Sequence, residues 1–86
     1  MDVALKIGGD QMLAENLKRF RLAKGWTQED LTIETKPYAE KPLRLGTVTR
    51  IENGGNTTTE TLEVLAKALG VTAADLLSDA ERAQAG

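Results

Sequence analysis

The chain has 86 residues, which is enough for one domain but not for a second hydrophobic core. It contains no cysteine and no histidine, which excludes disulfides, thiol nucleophiles and the usual zinc ligands. The net charge of −2 is not that of a strongly basic nucleic-acid-binding protein, and no apolar run is long enough to cross a membrane, so we expect a cytoplasmic protein without a secretory signal.

The first part of the chain predicts a tail followed by a helix. Residues 1–9 are expected to be a flexible tail, because Gly8-Gly9 interrupts the short apolar stretch and no partner strand is evident. The first helix is predicted to start at an N-cap, Asp10, and to stop at Gly25. Its apolar stripe recurs at helical spacing: Leu13, Leu17 and Phe20.

The second helix has the clearest start signal in the chain. Thr27 and Asp30 have the spacing of a capping box, and Trp26 and Leu31 occupy the two positions of a hydrophobic staple. We expect Trp26 to be a core residue. The helix is predicted over residues 28–35, because the proline that follows disfavours helical backbone angles in the residue before it.

The third helix is predicted over residues 43–53, with Pro42 suited to a first helical position and Gly54 as its stop. Its apolar residues repeat every third position: Leu45, Val48 and Ile51. Gly46 inside a helix costs roughly 1 kcal/mol against alanine. Close approach of a partner to the backbone is one reason for such a glycine.

Two further helices complete an all-α pattern. The fourth is predicted to be capped by Thr58 and stopped by Gly70, with four residues facing inward: Leu62, Leu65, Ala66 and Leu69. Thr72 and Asp75 repeat the capping spacing and open the fifth, whose apolar pair is Leu76 and Leu77. The polar segment 79–86 is expected to be a C-terminal tail.

Three pieces of the chain, LKRFRLAKGWTQEDL, TVTRIENGGN and TLEVLAKALGVTAADLL, resemble in order the lambda-repressor-like (XRE/Cro) helix-turn-helix family. The resemblance covers about Asn16 to Leu77. It implies an all-α, five-helix DNA-binding domain over residues 10–78, with the helix-turn-helix unit at about 27–54. It also implies a transcription regulator that binds double-stranded operator DNA, which can be palindromic, as a homodimer.

The resemblance also implies roles for single residues. Gln28, at the start of the second helix, would touch a phosphate or a base edge, and Arg21 would form a structural ion pair with Glu52. The groove side of the third helix would carry Arg44, Leu45, Gly46, Thr47 and Arg50.

The turn between the second and third helices departs from the family, because KPYAEKPLR makes it about six residues longer. One hypothesis is an ordered turn in which Lys36 and Lys41 point at phosphates and a small apolar cluster forms from Ile33, Pro37, Tyr38 and Leu45. The alternative is a mobile, solvated loop.

Side-chain chemistry suggests how DNA would be contacted. The Arg50 guanidinium can bond two guanine acceptors at once, although a surface ion pair is the alternative role. The hydroxyls of Thr47 and Thr49 could serve bases or phosphates, or be simple helix surface. Phosphate contacts are expected at the N-terminus of the second helix with Gln28, and from four further side chains: Lys18, Arg19, Arg44 and Asn53.

Charge is unevenly distributed along the chain. Residues 18–50 carry eight basic and four acidic side chains, whereas residues 51–86 carry two and six. A basic middle can present one cationic face to phosphates, although ordinary solvated helix surfaces would have the same composition.

No residue pattern indicates catalysis, a metal site, a cofactor or a small-molecule ligand, so an enzyme is not expected. The main hypothesis is a sequence-specific repressor of phage or bacterial type that reads the major groove with its third helix. The second is an antitoxin-like or other protein-binding module whose acidic fourth and fifth helices dock another protein. For dimerisation, the expected interface is the exposed side of the fifth helix, with Leu76 or Leu77.

Overall fold

The computed structural model describes residues 6–7 and 11–78, which form five α-helices, a short 3-10 helix and one pair of strands. In chain order the elements are β1 (Lys6–Ile7), α1 (Gln11–Ala23), α2 (Gln28–Glu34), the 3-10 turn (Lys36–Tyr38), α3 (Leu45–Glu52), β2 (Thr57–Thr58), α4 (Thr59–Leu69) and α5 (Ala73–Leu77). The predicted all-α, five-helix class is confirmed. The predicted N-cap Asp10 and C-terminal tail 79–86 lie outside the described residues.

Local bonds between side chain and backbone start α2, α4 and α5 at the predicted caps Thr27, Thr58 and Thr72. In the α2 capping box, the Thr27 hydroxyl accepts from the Asp30 N–H at 3.0 Å, and the Asp30 carboxylate accepts from the Thr27 N–H at 2.9 Å. Thr72 and Asp75 form the same box at α5. Three glycines with positive φ end α1, α3 and α4, respectively Gly25, Gly54 and Gly70.

The hydrophobic core is one cluster to which all five helices contribute. Trp26 and Phe20 are partly buried against it, so the prediction that the tryptophan is a core residue is confirmed. The fully buried leucines and isoleucine include Leu13, Leu17, Leu31, Ile51, Leu62, Leu65 and Leu76. No helix within residues 11–78 is both long enough and apolar enough to cross a bilayer.

Asn16 of α1 ties the end of α5 to the rest of the domain. Its side chain is buried, and Nδ2 donates to the carbonyl oxygens of Leu76 at 2.9 Å and Ser78 at 2.6 Å. Leu76 is fully buried in the core, and Leu77 is partly buried against it. The predicted dimer interface was the exposed side of α5 with Leu76 or Leu77, and the choice of Leu76 is wrong because its buried side chain cannot meet a second copy.

Two other predictions from local sequence are corrected. Lys6–Ile7 pairs antiparallel with Thr57–Thr58, so this part of the predicted tail is a strand and its partner follows α3. The third helix begins at Leu45 rather than at residue 43, because the extended Arg44 is its N-cap. Pro42 therefore precedes the helix instead of occupying its first position.

The long turn between α2 and α3 contains the 3-10 turn, in which the Tyr38 N–H donates to the Thr35 carbonyl at 3.0 Å. This turn contacts α4. Ile33, Tyr38 and Leu45 are each nearly half exposed, at 49%, 49% and 46%. The apolar cluster of the first hypothesis is therefore not buried, and Leu45 leaves much of its apolar surface exposed on α3.

Candidate nucleic-acid interface

One side of α3 is exposed and the other is packed into the core. Val48, Ile51 and Glu52 are buried. At ~100° of rotation per residue, Leu45, Thr49, Gly46 and Arg50 lie within about 140° of arc on the outer side of the helix, and Thr47 extends that arc to about 200°. A shallow concave surface, here called the helix-three surface, is lined by Leu45, Gly46, Thr49, Arg50, Asn53, Gly54 and Gly55.

The structure brings five of the predicted DNA-binding residues together on the helix-three surface, namely Leu45, Gly46, Thr49, Arg50 and Asn53. Arg44, Thr47 and Lys41 line a neighbouring groove between the long turn and α4. Lys36 is exposed in the 3-10 turn.

Lys18 and Arg19 of α1, which were predicted to contact phosphates, line neither the helix-three surface nor the neighbouring groove. Arg19 Nη2 donates to the Asn16 side-chain oxygen at 3.1 Å, and its guanidinium carbon lies 4.6 Å from the centre of the Phe20 ring. Since Asn16 bonds the end of α5, Arg19 is held beside that helix. Lys18 is exposed on α1.

The ion pair implied by the family resemblance is formed. Arg21 Nε donates to Glu52 Oε2 at 2.7 Å and Nη2 donates to Oε1 at 3.0 Å, with the side chains 9% and 1% exposed. Arg21 Nη1 also donates to the Trp26 carbonyl at 2.6 Å. The pair thereby joins the end of α1 and the loop before α2 to the last turn of α3.

Gln28 extends this network to the helix-three surface. Its Nε2 donates to Glu52 Oε1 at 3.0 Å, and its Oε1 accepts from the Thr49 hydroxyl at 2.8 Å. Both ends of the amide are therefore held within the protein, which residue-by-residue reasoning did not anticipate. One Nε2 hydrogen is left for an external acceptor, since an amide nitrogen has two.

The C-terminus of α3 orients Arg50. Gly54 N–H donates to the Ile51 carbonyl at 3.0 Å and Gly55 N–H to the Arg50 carbonyl at 2.8 Å, the two bonds of a Schellman motif. The corresponding residues after α1 and α4 are Trp26 and Val71, both packed on the core. A glycine in this place leaves room for the Arg50 stem.

Gly55 was missed as a site residue by sequence reasoning. A Cβ added to it would stand 2.6 Å from Arg50 Cγ and 2.8 Å from the Arg50 carbonyl oxygen, so any side chain would displace one or the other. An apolar residue usually follows the glycine that ends a helix. A second glycine at that place was the sequence signal that Gly55 has a particular role.

Gly46 is in the opposite situation. A Cβ built on it meets nothing within 4 Å, and its φ is not in the left-handed region. No contact among the described residues therefore requires a glycine at this position. The absence of a side chain leaves the backbone of α3 bare at the middle of the helix-three surface.

Charged groups on and beside the helix-three surface are few. Arg50 is its one cation, and among residues 11–78 no carboxylate lies within salt-bridge distance of that guanidinium. Arg44 and Lys41 bring two more cations to the neighbouring groove, which Glu40 and Glu60 also line. Within the same residues, no cluster of acidic side chains could hold a metal ion.

Comparison with known proteins agrees with this geometry. A family model described as the Cro/C1-type HTH DNA-binding domain matches residues 16–81, which is most of the 86-residue chain. Neither the curated proteins nor the solved structures that were compared with the chain match it. The matched region contains α1 to α5 from Asn16 onward, together with the helix-three surface. The chain therefore belongs to the Cro/C1-type helix-turn-helix DNA-binding family.

Proposed function

We propose that this protein is a sequence-specific transcriptional repressor that reads the DNA major groove with α3. The observation that carries the proposal is the exposed helix-three surface, where Arg50 lies beside Leu45, Gly46 and Asn53. An α-helix is about 10–12 Å across and the major groove is about 12 Å wide, so this rod can enter it. Occupancy of an operator is enough to block transcription, which is why we propose repression, in the cytoplasm of a phage host or bacterium.

Base contacts are proposed for Leu45, Gly46, Thr49 and Arg50, of which the arginine can bond two acceptors of one guanine. Phosphate contacts are proposed for polar and charged residues around the exposed arc of α3. Lys41, Arg44 and Thr47 line the neighbouring groove, and Asn53 lies at the C-terminal end of the helix-three surface. Gln28 and Lys36 belong to α2 and to the 3-10 turn, which precede α3. Arg19 is left out because it already bonds Asn16 beside α5. Lys18 is left out because it lies on α1, away from both surfaces.

Homodimerisation on a palindromic operator is proposed from the small number of cations. Each phosphate that a Lys or Arg neutralises contributes to affinity through counterion release, so a lone domain with about three such cations, Lys36, Lys41 and Arg44, binds weakly at physiological salt. Two copies on half-sites about 34 Å apart would combine their affinities. Sedimentation of the protein with a palindromic duplex should give two chains per duplex, and one chain per duplex would contradict this part of the proposal.

The experiment that tests the proposal is selection of bound sequences from a random duplex library, followed by amide chemical-shift mapping. We expect enrichment of one sequence, salt-dependent retardation, and shifts concentrated in residues 27–54. Binding without enrichment, or shifts confined to another surface, would overturn groove reading by α3.

The second candidate is an antitoxin-like or other protein-binding module. It is favoured by the acidic balance of residues 51–86 and by the exposed apolar side chains Ile33, Tyr38 and Leu45. Such a module should not retard duplex DNA in a salt-dependent way, and Arg50→Ala should leave its partner binding unchanged.

Gly46→Ala is expected to separate stability from DNA binding. Alanine should raise the free energy of unfolding by about 1 kcal/mol, because it favours helix and its methyl meets no neighbour. The same methyl should weaken binding to the selected duplex, because it stands between α3 and a base edge. Urea denaturation and a duplex titration measure the two effects. A variant with greater stability and unchanged affinity would show that no base edge approaches Gly46.

A further inference from the structure

The helix-three surface holds an apolar side chain that the fold does not use. Leu45 is the first residue of α3 and is 46% exposed. Gly46 beside it has no side chain. The Thr49 hydroxyl, one turn later, already donates its hydrogen bond to Gln28 Oε1. The start of the surface is therefore apolar and bare, whereas Arg50 at its far end is charged.

We propose that Leu45 and the backbone of Gly46 form a binding site for the C5-methyl group of a thymine. The proposal rests on the proposed function, since it specifies what α3 reads. Among the groups that base pairs present in the major groove, the thymine methyl is the large apolar one; the cytosine C5–H is much smaller, and the remaining groups are hydrogen-bond donors or acceptors. Leucine offers no hydrogen bond, so a donor or acceptor pressed against it would lose its water without a replacement.

The bare backbone at Gly46 makes this contact possible at short range. A Cβ there would project into open space on the side where the base edge arrives, and its absence lets that edge come closer to Leu45. The two glycines of the surface thus have different roles, because Gly55 makes room for the Arg50 stem whereas Gly46 makes room for the DNA.

The spacing along α3 predicts where the thymine lies. Arg50 follows Leu45 by five residues, which is about 7.5 Å along a helix axis. At ~100° per residue the two residues are about 140° apart around the axis, at the two edges of the same exposed arc. Each half-site of the operator is therefore expected to place the thymine within a few base pairs of the guanine bound by Arg50, at a position that the one-at-a-time replacement below identifies.

The test replaces thymines of the selected duplex, one at a time, with deoxyuridine, which removes only the methyl group. We expect one position in each half-site at which Kd rises about fourfold, the effect of exposing one buried methyl-sized group. With Leu45→Ala the same replacement should change Kd less than twofold. Leu22→Ala is the matched control, because Leu22 is 58% exposed on α1 outside the surface, and it should keep the fourfold effect.

Two results would overturn the inference. Either no thymine shows a methyl effect above twofold, or the effect persists in Leu45→Ala, while binding remains sensitive to Arg50→Ala. In both cases groove reading by α3 stands and only the methyl site fails. If no duplex is enriched or retarded at all, the proposed function itself has failed, and Leu45 then belongs to a protein-binding surface.

Discussion

Glu52→Ala is expected to destabilise the domain by roughly 3–5 kcal/mol, because it leaves a buried guanidinium without its counter-ion. The Glu52 side chain is 1% exposed and accepts bonds from Arg21 Nε at 2.7 Å and Nη2 at 3.0 Å. Gln28 would lose the same carboxylate as its acceptor. Small domains have total stabilities near the lower end of about 5–15 kcal/mol, so the variant should be close to unfolding at room temperature.

Urea denaturation followed by far-UV circular dichroism measures this loss, and the melting temperature should fall by more than about 10 °C. Glu63→Ala is the matched control, since Glu63 is an exposed residue of α4 and its loss should change stability by less than about 0.5 kcal/mol. Arg21→Met combined with Glu52→Leu should recover part of the loss, because no unpaired charge remains buried. Equal stabilities for the two alanine variants would contradict a supporting role for the pair.

The ends of the helices could be predicted from sequence because a cap is a short-range interaction. Thr27 with Asp30, and Thr72 with Asp75, bond backbone groups within three residues, so their spacing alone determines the contact. Gly54 and Gly70 could be predicted as helix stops for the same reason, because the left-handed conformation after a helix favours glycine.

Features that depend on distant residues could not be predicted from the spacing of nearby residues. The pairing of Lys6–Ile7 with Thr57–Thr58 joins segments about fifty residues apart, and two-residue strands have no periodicity to detect. The end of α5 is bonded by Asn16, sixty residues earlier in the chain, and the Leu76 side chain is buried in a core built from all five helices.

The candidate interface also combines features that could be predicted from sequence with features that could not. Arg50 and Leu45 could be chosen from their chemistry and the family resemblance, and the structure gathers them on one surface. Gln28 bridges Glu52 and Thr49 between α2 and α3, a tertiary contact that does not follow from spacing along one helix. The contact of Gly55 with the Arg50 stem is local, and its signal was the second glycine after the helix.

Arg50→Ala is expected to weaken binding to the selected duplex by about 1–3 kcal/mol, which is roughly 5- to 150-fold in Kd. The guanidinium is exposed, and no acidic side chain among residues 11–78 pairs with it, so its bonding capacity is free for a base. Its stem lies beside Gly55, where an added Cβ would stand 2.6 Å from Arg50 Cγ. Stability should change by less than about 0.5 kcal/mol, because the substitution removes an exposed side chain.

The salt dependence of binding distinguishes a base contact from a phosphate contact. If Arg50 bonds a guanine, the alanine variant should lose preference for that base, and the slope of log K against log salt concentration should stay the same. If Arg50 contacts a phosphate, the alanine variant should have a slope lower by about 1 and should bind all sequences equally more weakly. Arg50→Lys should keep the charge but not the bidentate geometry, and so should also lose the preference. Lys67→Ala, which removes a cation from the last turn of α4, is the control and should bind as the parent does. Unchanged preference in both Arg50 variants would mean that another residue of α3 reads the guanine, or that no guanine is read.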